Sequence, residues 1–94
     1  MKVVAVCGFG VGSSLLLKIS LDKAFKALEI DEEAMNTDII TAKSIDCDAI
    51  FTSVDMAEQL REEVKVPVYA IRRYMDVNEV QAVLEECIAD LNAK

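Results

Sequence analysis

A chain of 94 residues is long enough for one domain, and its 53% hydrophobic content supplies a core and excludes an intrinsically disordered protein. The formal net charge of −7, from 17 acidic and 10 basic residues, argues against a nucleic-acid-binding surface, because binding to phosphate backbones needs a basic face. We therefore expect a single domain over residues 1–94 and no nucleic-acid partner.

The sequence gives no sign of secretion or of membrane insertion. One lysine precedes a short apolar run, and no stretch approaches the ~20 apolar residues that span a bilayer. Cys7, Cys47 and Cys87 are odd in number and widely spaced, and the chain has no histidine. We therefore expect no structural disulfide, no metal and no cofactor, and we interpret Cys47 and Cys87 as packing residues. These features predict a soluble, cytoplasmic protein.

The first element in chain order is a buried strand. Residues 2–6 are nearly all β-branched or small, which is typical of a parallel strand covered on both faces. A glycine-rich turn follows, and Ser13 or Ser14 is predicted to cap a helix that runs to about residues 27–29. Residues 33–37 are predicted to form a short edge strand, and residues 41–45 a loop or a single helical turn.

The second half of the chain predicts two further strands and two helices. Residues 48–53 predict a strand, and Asp55 with Glu58 resembles the capping box of a helix that ends near residue 64. Pro67 opens a strand over residues 68–71, where its missing N–H does least harm. Asp76 with Glu79 predicts the start of the last helix. The inner face of that helix comprises Val80, Val83, Leu84, Cys87, Ile88 and Leu91.

Strands that alternate with helices indicate a parallel sheet in an α/β domain. We predict a three-layer sandwich, in which a four-stranded parallel sheet of order 2-1-3-4 has helices on both faces. Ligands of such sheets bind at the carboxyl ends of the strands, beside the first strand. Cys7 directly follows that strand, so we expect it to lie at the ligand site.

The turn after Cys7 contains all three glycines of the chain, at positions 8, 10 and 12. Glycine lets the backbone approach a ligand closely, and the N–H groups of such a turn, with those of the next helix, can surround an anion. A thiol beside a helix N-terminus commonly has a lowered pKa, which favours the nucleophilic thiolate. We therefore predict that Cys7 is the catalytic nucleophile acting on phosphate. The predicted phosphate-binding residues are Gly8, Phe9, Gly10, Val11, Gly12, Ser13 and Ser14.

Several classes of phosphate-binding protein have a phosphate-binding turn between a strand and a helix, and their residue patterns can be compared with this one. A nucleotide P-loop needs Lys followed by Ser or Thr, which this turn lacks. A cysteine phosphatase has Arg six residues after its cysteine, where this chain has Ser13, so rapid hydrolysis of a cysteinyl phosphate is poorly supported. A cysteine that accepts a phosphoryl group and passes it on fits best. The alternatives are a small cysteine phosphatase without the usual Arg, and a regulatory module that binds an anion or a nucleotide.

The string Cys-Gly-Phe-Gly-Val-Gly-Ser-Ser at residues 7–14, after a valine-rich first strand, resembles the active-site loop of IIB components of the phosphoenolpyruvate-dependent sugar phosphotransferase system. It looks most like the ascorbate-type branch in the group with lactose/cellobiose-type folds. The resemblance implies a protein-phosphocysteine–sugar phosphotransferase, in which Cys7 accepts a phosphoryl group from a phosphohistidine of a IIA partner. The group would then pass to a sugar, ascorbate or a related one, held by a membrane IIC transporter with which the chain associates.

Four residues outside the turn are predicted to lie at the same edge of the sheet. Thr52 and Ser53 end the third predicted strand, and Arg72 and Arg73 follow the fourth. Hydroxyl residues at such positions more often cap the next helix, and paired arginines are more often solvated. The functional interpretation makes these four residues candidates for contacts with phosphate or with a partner.

Overall fold

The computed structural model describes residues 2–6 and 11–93, without the side chains of residues 11–13. In chain order, the elements are β1 (Val3–Val6), α1 (Val11–Ala27), β2 (Met35–Thr37), α2 (Ile39–Ala42), β3 (Ala49–Ser53), α3 (Val54–Glu63), β4 (Val68–Ile71) and α4 (Val77–Asn92). All four predicted strands are present, with ends within two residues of their predicted positions. Within the described ranges, no helix has the length and apolar character needed to cross a membrane.

The four strands form one parallel sheet in the order β2-β1-β3-β4, which confirms the predicted topology. All four residues of β1 are buried, because this strand is covered on both faces, and its sequence therefore shows no polar alternation. Val6, the last residue of β1, pairs with Thr37 of β2 on one side and with Thr52 of β3 on the other. The ends of these three strands thus lie level at the carboxyl edge of the sheet.

The strands contribute alternate residues to two apolar layers, one on each face of the sheet. Ala5 and Phe51 pack with α1 and α4 on one face, whereas Val4 and Ile50 pack with α2 and α3 on the other. The inner faces of α1 and α4 pack against the sheet as their spacing predicts, although Val83, Ile88 and Leu91 of α4 are only partly buried. The result is the predicted three-layer α/β sandwich, with helices on both faces of the sheet.

The start of α1 differs from the prediction. Ser13 and Ser14 do not cap the helix, because α1 begins at Val11 and both serines lie in its first turn. Ser14 is completely buried and lies three residues before Leu17, which is also completely buried. Residues at this spacing share one helix face, so the packing of that face extends the helix back through Gly12. The predicted phosphate-binding turn is accordingly shorter, and residues 11–14 belong to the helix.

The starts of α2 and α3 also differ from the predictions. Asp38 caps α2 by accepting the N–H of Thr41 at 2.9 Å, so this single turn begins before residue 41. Ser53 is both the last residue of β3 and the cap of α3, and its Oγ accepts the N–H of Met56 at 3.3 Å. The predicted start at Asp55 is wrong because the strand leads into the helix without a loop.

Asp76 caps α4 as predicted, but the Glu79 carboxylate does not complete the predicted capping box. Asp76 accepts the N–H groups of Asn78 and Glu79 at 3.1 and 3.3 Å. In a capping box, the Glu79 carboxylate would return to the cap residue. It accepts instead the N–H of Arg72, at 2.6 Å. This contact joins the end of β4 to the first turn of α4 and fixes the course of the connection between them.

Candidate functional site

The carboxyl edge of the sheet brings the end of β1 together with the starts of the four described helices. Asp38, Ser53 and Asp76 cap α2, α3 and α4 with their side chains. The first turn of α1 contains no acidic residue. In a helix that begins at Val11, the N–H groups of residues 11–13 have no acceptor within the helix and point towards the edge. The start of α1 therefore offers N–H donors and a positive helix end to an anion.

The predicted nucleophile lies next to this helix start along the chain. Cys7, Gly8, Phe9 and Gly10 lie outside the described residues, as do the side chains of residues 11–13, so their predicted roles stay predictions. Val6, which directly precedes Cys7, is completely buried at the end of the central strand. In the chain, only residues 7–10 separate the end of β1 from the start of α1.

Ser14 is held against the edge strand. Its Oγ accepts a hydrogen bond from Nδ2 of Asn36 at 3.5 Å, and the serine is completely buried. Asn36 belongs to β2 and pairs with Ala5, whose side chain faces α1. The bond therefore connects the first turn of α1 to the sheet. Sequence reasoning missed this role of Asn36, although an amide in the middle of a short strand was a signal. The predicted contact of Ser14 with phosphate stays a prediction.

Thr52 is the predicted candidate that the structure brings next to β1. It pairs with Val6 and is completely buried, yet its Oγ1 has no hydrogen-bond partner among residues 2–6 and 11–93. A buried hydroxyl without a partner costs about 1–3 kcal/mol. Paired residues of neighbouring parallel strands share a face, so Thr52 and Val6 both face α2 and α3. Packing among the described residues thus does not explain a threonine at this position.

Of the other three candidates, Ser53 already accepts a hydrogen bond, and Arg72 and Arg73 lie farther from the end of β1. The hydroxyl of Ser53 caps α3, which confirms the commoner interpretation of that residue. Arg72 and Arg73 are exposed and follow β4, which lies two strands, or about 10 Å, from β1 across the sheet. In the described part of the chain, neither guanidinium has an ion-pair partner. The two arginines are therefore available to a ligand or a partner.

The two described cysteines are not nucleophiles. Cys47 and Cys87 are buried and have free thiols. Burial raises the pKa of Cys87 to about 11. Burial, with the nearby carboxylate of Asp48, also raises the pKa of Cys47. Both thiols therefore stay protonated at neutral pH, and their predicted role as packing residues is confirmed.

The family model described as the lactose/cellobiose-specific IIB subunit of the phosphotransferase system matches residues 2–86. The chain belongs to this IIB family. Its members are components of sugar phosphotransfer and work with IIA and IIC partners. The resemblance of the Cys-Gly-Phe-Gly-Val-Gly-Ser-Ser string to IIB active-site loops thus led to the correct family.

Two relatives of this IIB chain cover nearly all of it. The ascorbate-specific PTS system EIIB component of Mycoplasma pneumoniae is 26% identical over 90 residues, which is 94% of this chain and 95% of that protein. The structure of the lactose-specific IIB component domain of the phosphoenolpyruvate:carbohydrate phosphotransferase system from Streptococcus pneumoniae matches with a TM-score of 0.69 at 17% identity, over 95% of each chain. The IIB chain therefore has the fold of that lactose-specific domain.

Proposed function

We propose that this IIB chain is a phosphocarrier in which Cys7 carries the phosphoryl group between a phosphohistidine of a IIA protein and a sugar bound by a membrane IIC transporter. The proposal treats residues 1–94 as one IIB domain at the cytoplasmic side of that transporter. The observation that carries it is the start of α1, whose first N–H groups have no acceptor within the helix; Cys7 stands in the chain between this start and the buried strand β1. Membership of the IIB family supplies the class of reaction.

The proposed transfer has two steps. In the first, the Cys7 thiolate attacks phosphorus, an S–P bond forms, the P–N bond to the donor imidazole breaks, and the departing imidazole nitrogen takes up a proton. In the second, a sugar hydroxyl oxygen attacks phosphorus, the S–P bond breaks, the hydroxyl proton is released, and the thiolate is regenerated. The N–H groups at the start of α1 would stabilise the phosphoryl oxygens in both steps, since such transfers depend on positioning and electrostatics.

Two features of the described residues support Cys7 as the acceptor. The first turn of α1 has no acidic side chain to repel or displace a phosphoryl group. Cys47 and Cys87 are buried with raised pKa values, so neither competes as a thiolate. For the sugar, we propose ascorbate or a related compound, because the curated relative from Mycoplasma pneumoniae is named ascorbate-specific.

Intact-mass measurement with site mapping tests the proposal. We expect that incubation with phosphoenolpyruvate, the two general phosphotransferase proteins and the cognate IIA adds one phosphate, and that the phosphate maps to Cys7. Omission of IIA serves as the control and should leave the mass unchanged. A phosphate on another residue would contradict the proposal, and steady release of inorganic phosphate from a chromogenic ester would favour the phosphatase alternative.

Thr52→Val is expected to slow phosphoryl transfer from IIA about tenfold, the equivalent of one lost hydrogen bond of about 1.4 kcal/mol. We expect the Thr52 hydroxyl, which has no hydrogen-bond partner among the described residues, to donate to the segment that follows Val6 when the phosphoryl group is present. Valine has the same shape, so the free energy of unfolding should stay equal or rise by about 1 kcal/mol. Rapid-quench kinetics measures the rate, and Thr52→Ser, which keeps a hydroxyl, should restore it. Wild-type kinetics in Thr52→Val would leave this threonine without a role in transfer.

A further inference from the structure

The outer face of α1 is apolar in its N-terminal half. Leu15, Leu16 and Ile19 are 44%, 42% and 42% exposed, whereas Leu17 and Leu21 on the inner face are completely buried. The helix thus carries large apolar side chains on both sides at the end nearest the proposed phosphate site. Exposed apolar residues that cluster on one surface commonly mark a site of protein interaction.

The connection from β4 to α4 extends this apolar surface. The N–H of Arg72 donates to the Glu79 carboxylate at 2.6 Å, and Oγ of Ser20 donates to the carbonyl oxygen of Tyr74. The second bond holds the connection against α1, one helical turn beyond Leu16. Met75 is the next residue along the chain and is 76% exposed. The backbone of the connection is therefore fixed before binding, which lowers the entropic cost of forming a complex.

The same surface is basic, although the whole chain is acidic. Residues 11–27 contain three lysines and one acid, Asp22, which is paired with Lys18 at 2.5 Å. Lys23 and Lys26 are exposed on α1, and the two arginines of the β4–α4 connection are exposed without ion-pair partners among the described residues. In a chain of net charge −7, this concentration of cations selects a partner with an acidic rim.

We propose that this surface, here called the docking face, binds the IIA donor. The matching surface of IIA would have an apolar centre and an acidic rim. The docking face comprises Leu15, Leu16, Ile19, Lys23, Lys26, Arg72, Arg73 and Met75. This inference rests on the proposed function, because a donor that reaches Cys7 must also cover the nearby start of α1. We assign the face to IIA rather than to the IIC transporter, which also has to approach Cys7, because the cytoplasmic loops of membrane proteins carry an excess of Lys and Arg and complement a basic face less well.

Binding to unphosphorylated IIA, measured by calorimetry, tests the docking face without any chemical step. Leu16→Asp and Ile19→Asp, made separately, should each raise the Kd about tenfold or more, because each places a negative charge in the apolar centre facing acidic groups. The double variant Arg72→Glu/Arg73→Glu should also raise the Kd, and wild-type binding should weaken as salt increases.

The matched control is Met35→Asp: Met35 is also 42% exposed, but its pairing with Val4 places it towards α2 and α3. Its Kd should stay within about twofold of wild type, as for a residue outside the interface.

The outcomes separate this inference from the proposed function. If no phosphate appears on Cys7 but the docking-face variants still weaken IIA binding, the proposed function fails and the docking face stands. If Cys7 is phosphorylated and Leu16→Asp, Ile19→Asp and the double arginine variant all bind IIA like wild type, the docking face is wrong. Thermal unfolding of every variant is measured alongside, and the arginine variant, which alters no packed side chain, decides the question if an aspartate variant unfolds.

Discussion

Cys7→Ala is expected to abolish the uptake of phosphate from IIA and to leave the fold intact. Loss of a catalytic nucleophile lowers rates by at least about 10³-fold in well-studied enzymes, and the same scale applies here. No described thiol can substitute for Cys7, because Cys47 and Cys87 are buried and burial raises the pKa of both. The measurement is the transfer of labelled phosphate from phosphorylated IIA in a single turnover.

The matched control for this variant is Cys47→Ala. It also removes one thiol, but from a buried position at the opposite end of the sheet, just before β3. We expect Cys47→Ala to accept phosphate at the wild-type rate, and both variants to bind unphosphorylated IIA. Near-normal phosphorylation of Cys7→Ala would assign the acceptor role to another residue and contradict the proposed mechanism.

Phe51→Ala is expected to lower the free energy of unfolding by about 3–5 kcal/mol, which is a large part of the total for a domain of this size. Phe51 is completely buried in β3, on the face of the sheet that packs against α1 and α4. Its ring also stacks on Tyr69 of the neighbouring strand, with centroids 5.4 Å apart and planes at 26°. The truncation removes this aromatic contact and leaves a cavity between the sheet and two helices.

Urea denaturation followed by circular dichroism measures this loss. Val54→Ala, three residues away and 48% exposed, is the control and should change the free energy of unfolding by no more than about 0.5 kcal/mol. Phe51→Leu should recover most of the stability, because it refills much of the volume. A loss below about 1 kcal/mol in Phe51→Ala would mean that the site collapses without a cavity, contrary to the packing described above.

The amino-acid sequence by itself determined the kinds of element, their order, the sheet topology and the family. Residues 2–6, which are apolar from Val3 onward, predicted a strand buried on both faces, and β1 is completely buried within the sheet. Pro67 before β4 and the Asp76 cap at the start of α4 were readable for the same reason: hydrophobic periodicity and local backbone chemistry involve residues close together in the chain. The string at residues 7–14 carried the family resemblance in the same local way.

Only the tertiary structure decided where α1 and α3 begin and which polar groups meet. The burial of Ser14 against β2 extends α1 to Val11, and the direct passage of β3 into α3 makes Ser53 a cap. Strand pairing likewise places Thr52 beside Val6, where its hydroxyl has no hydrogen-bond partner in residues 2–6 and 11–93. Packing against the sheet and α4 also decides which residues of α1 are buried, and thus which apolar and basic side chains are exposed on its outer face. These features arise between residues far apart in the chain, and their energies depend on burial, which local sequence patterns do not encode.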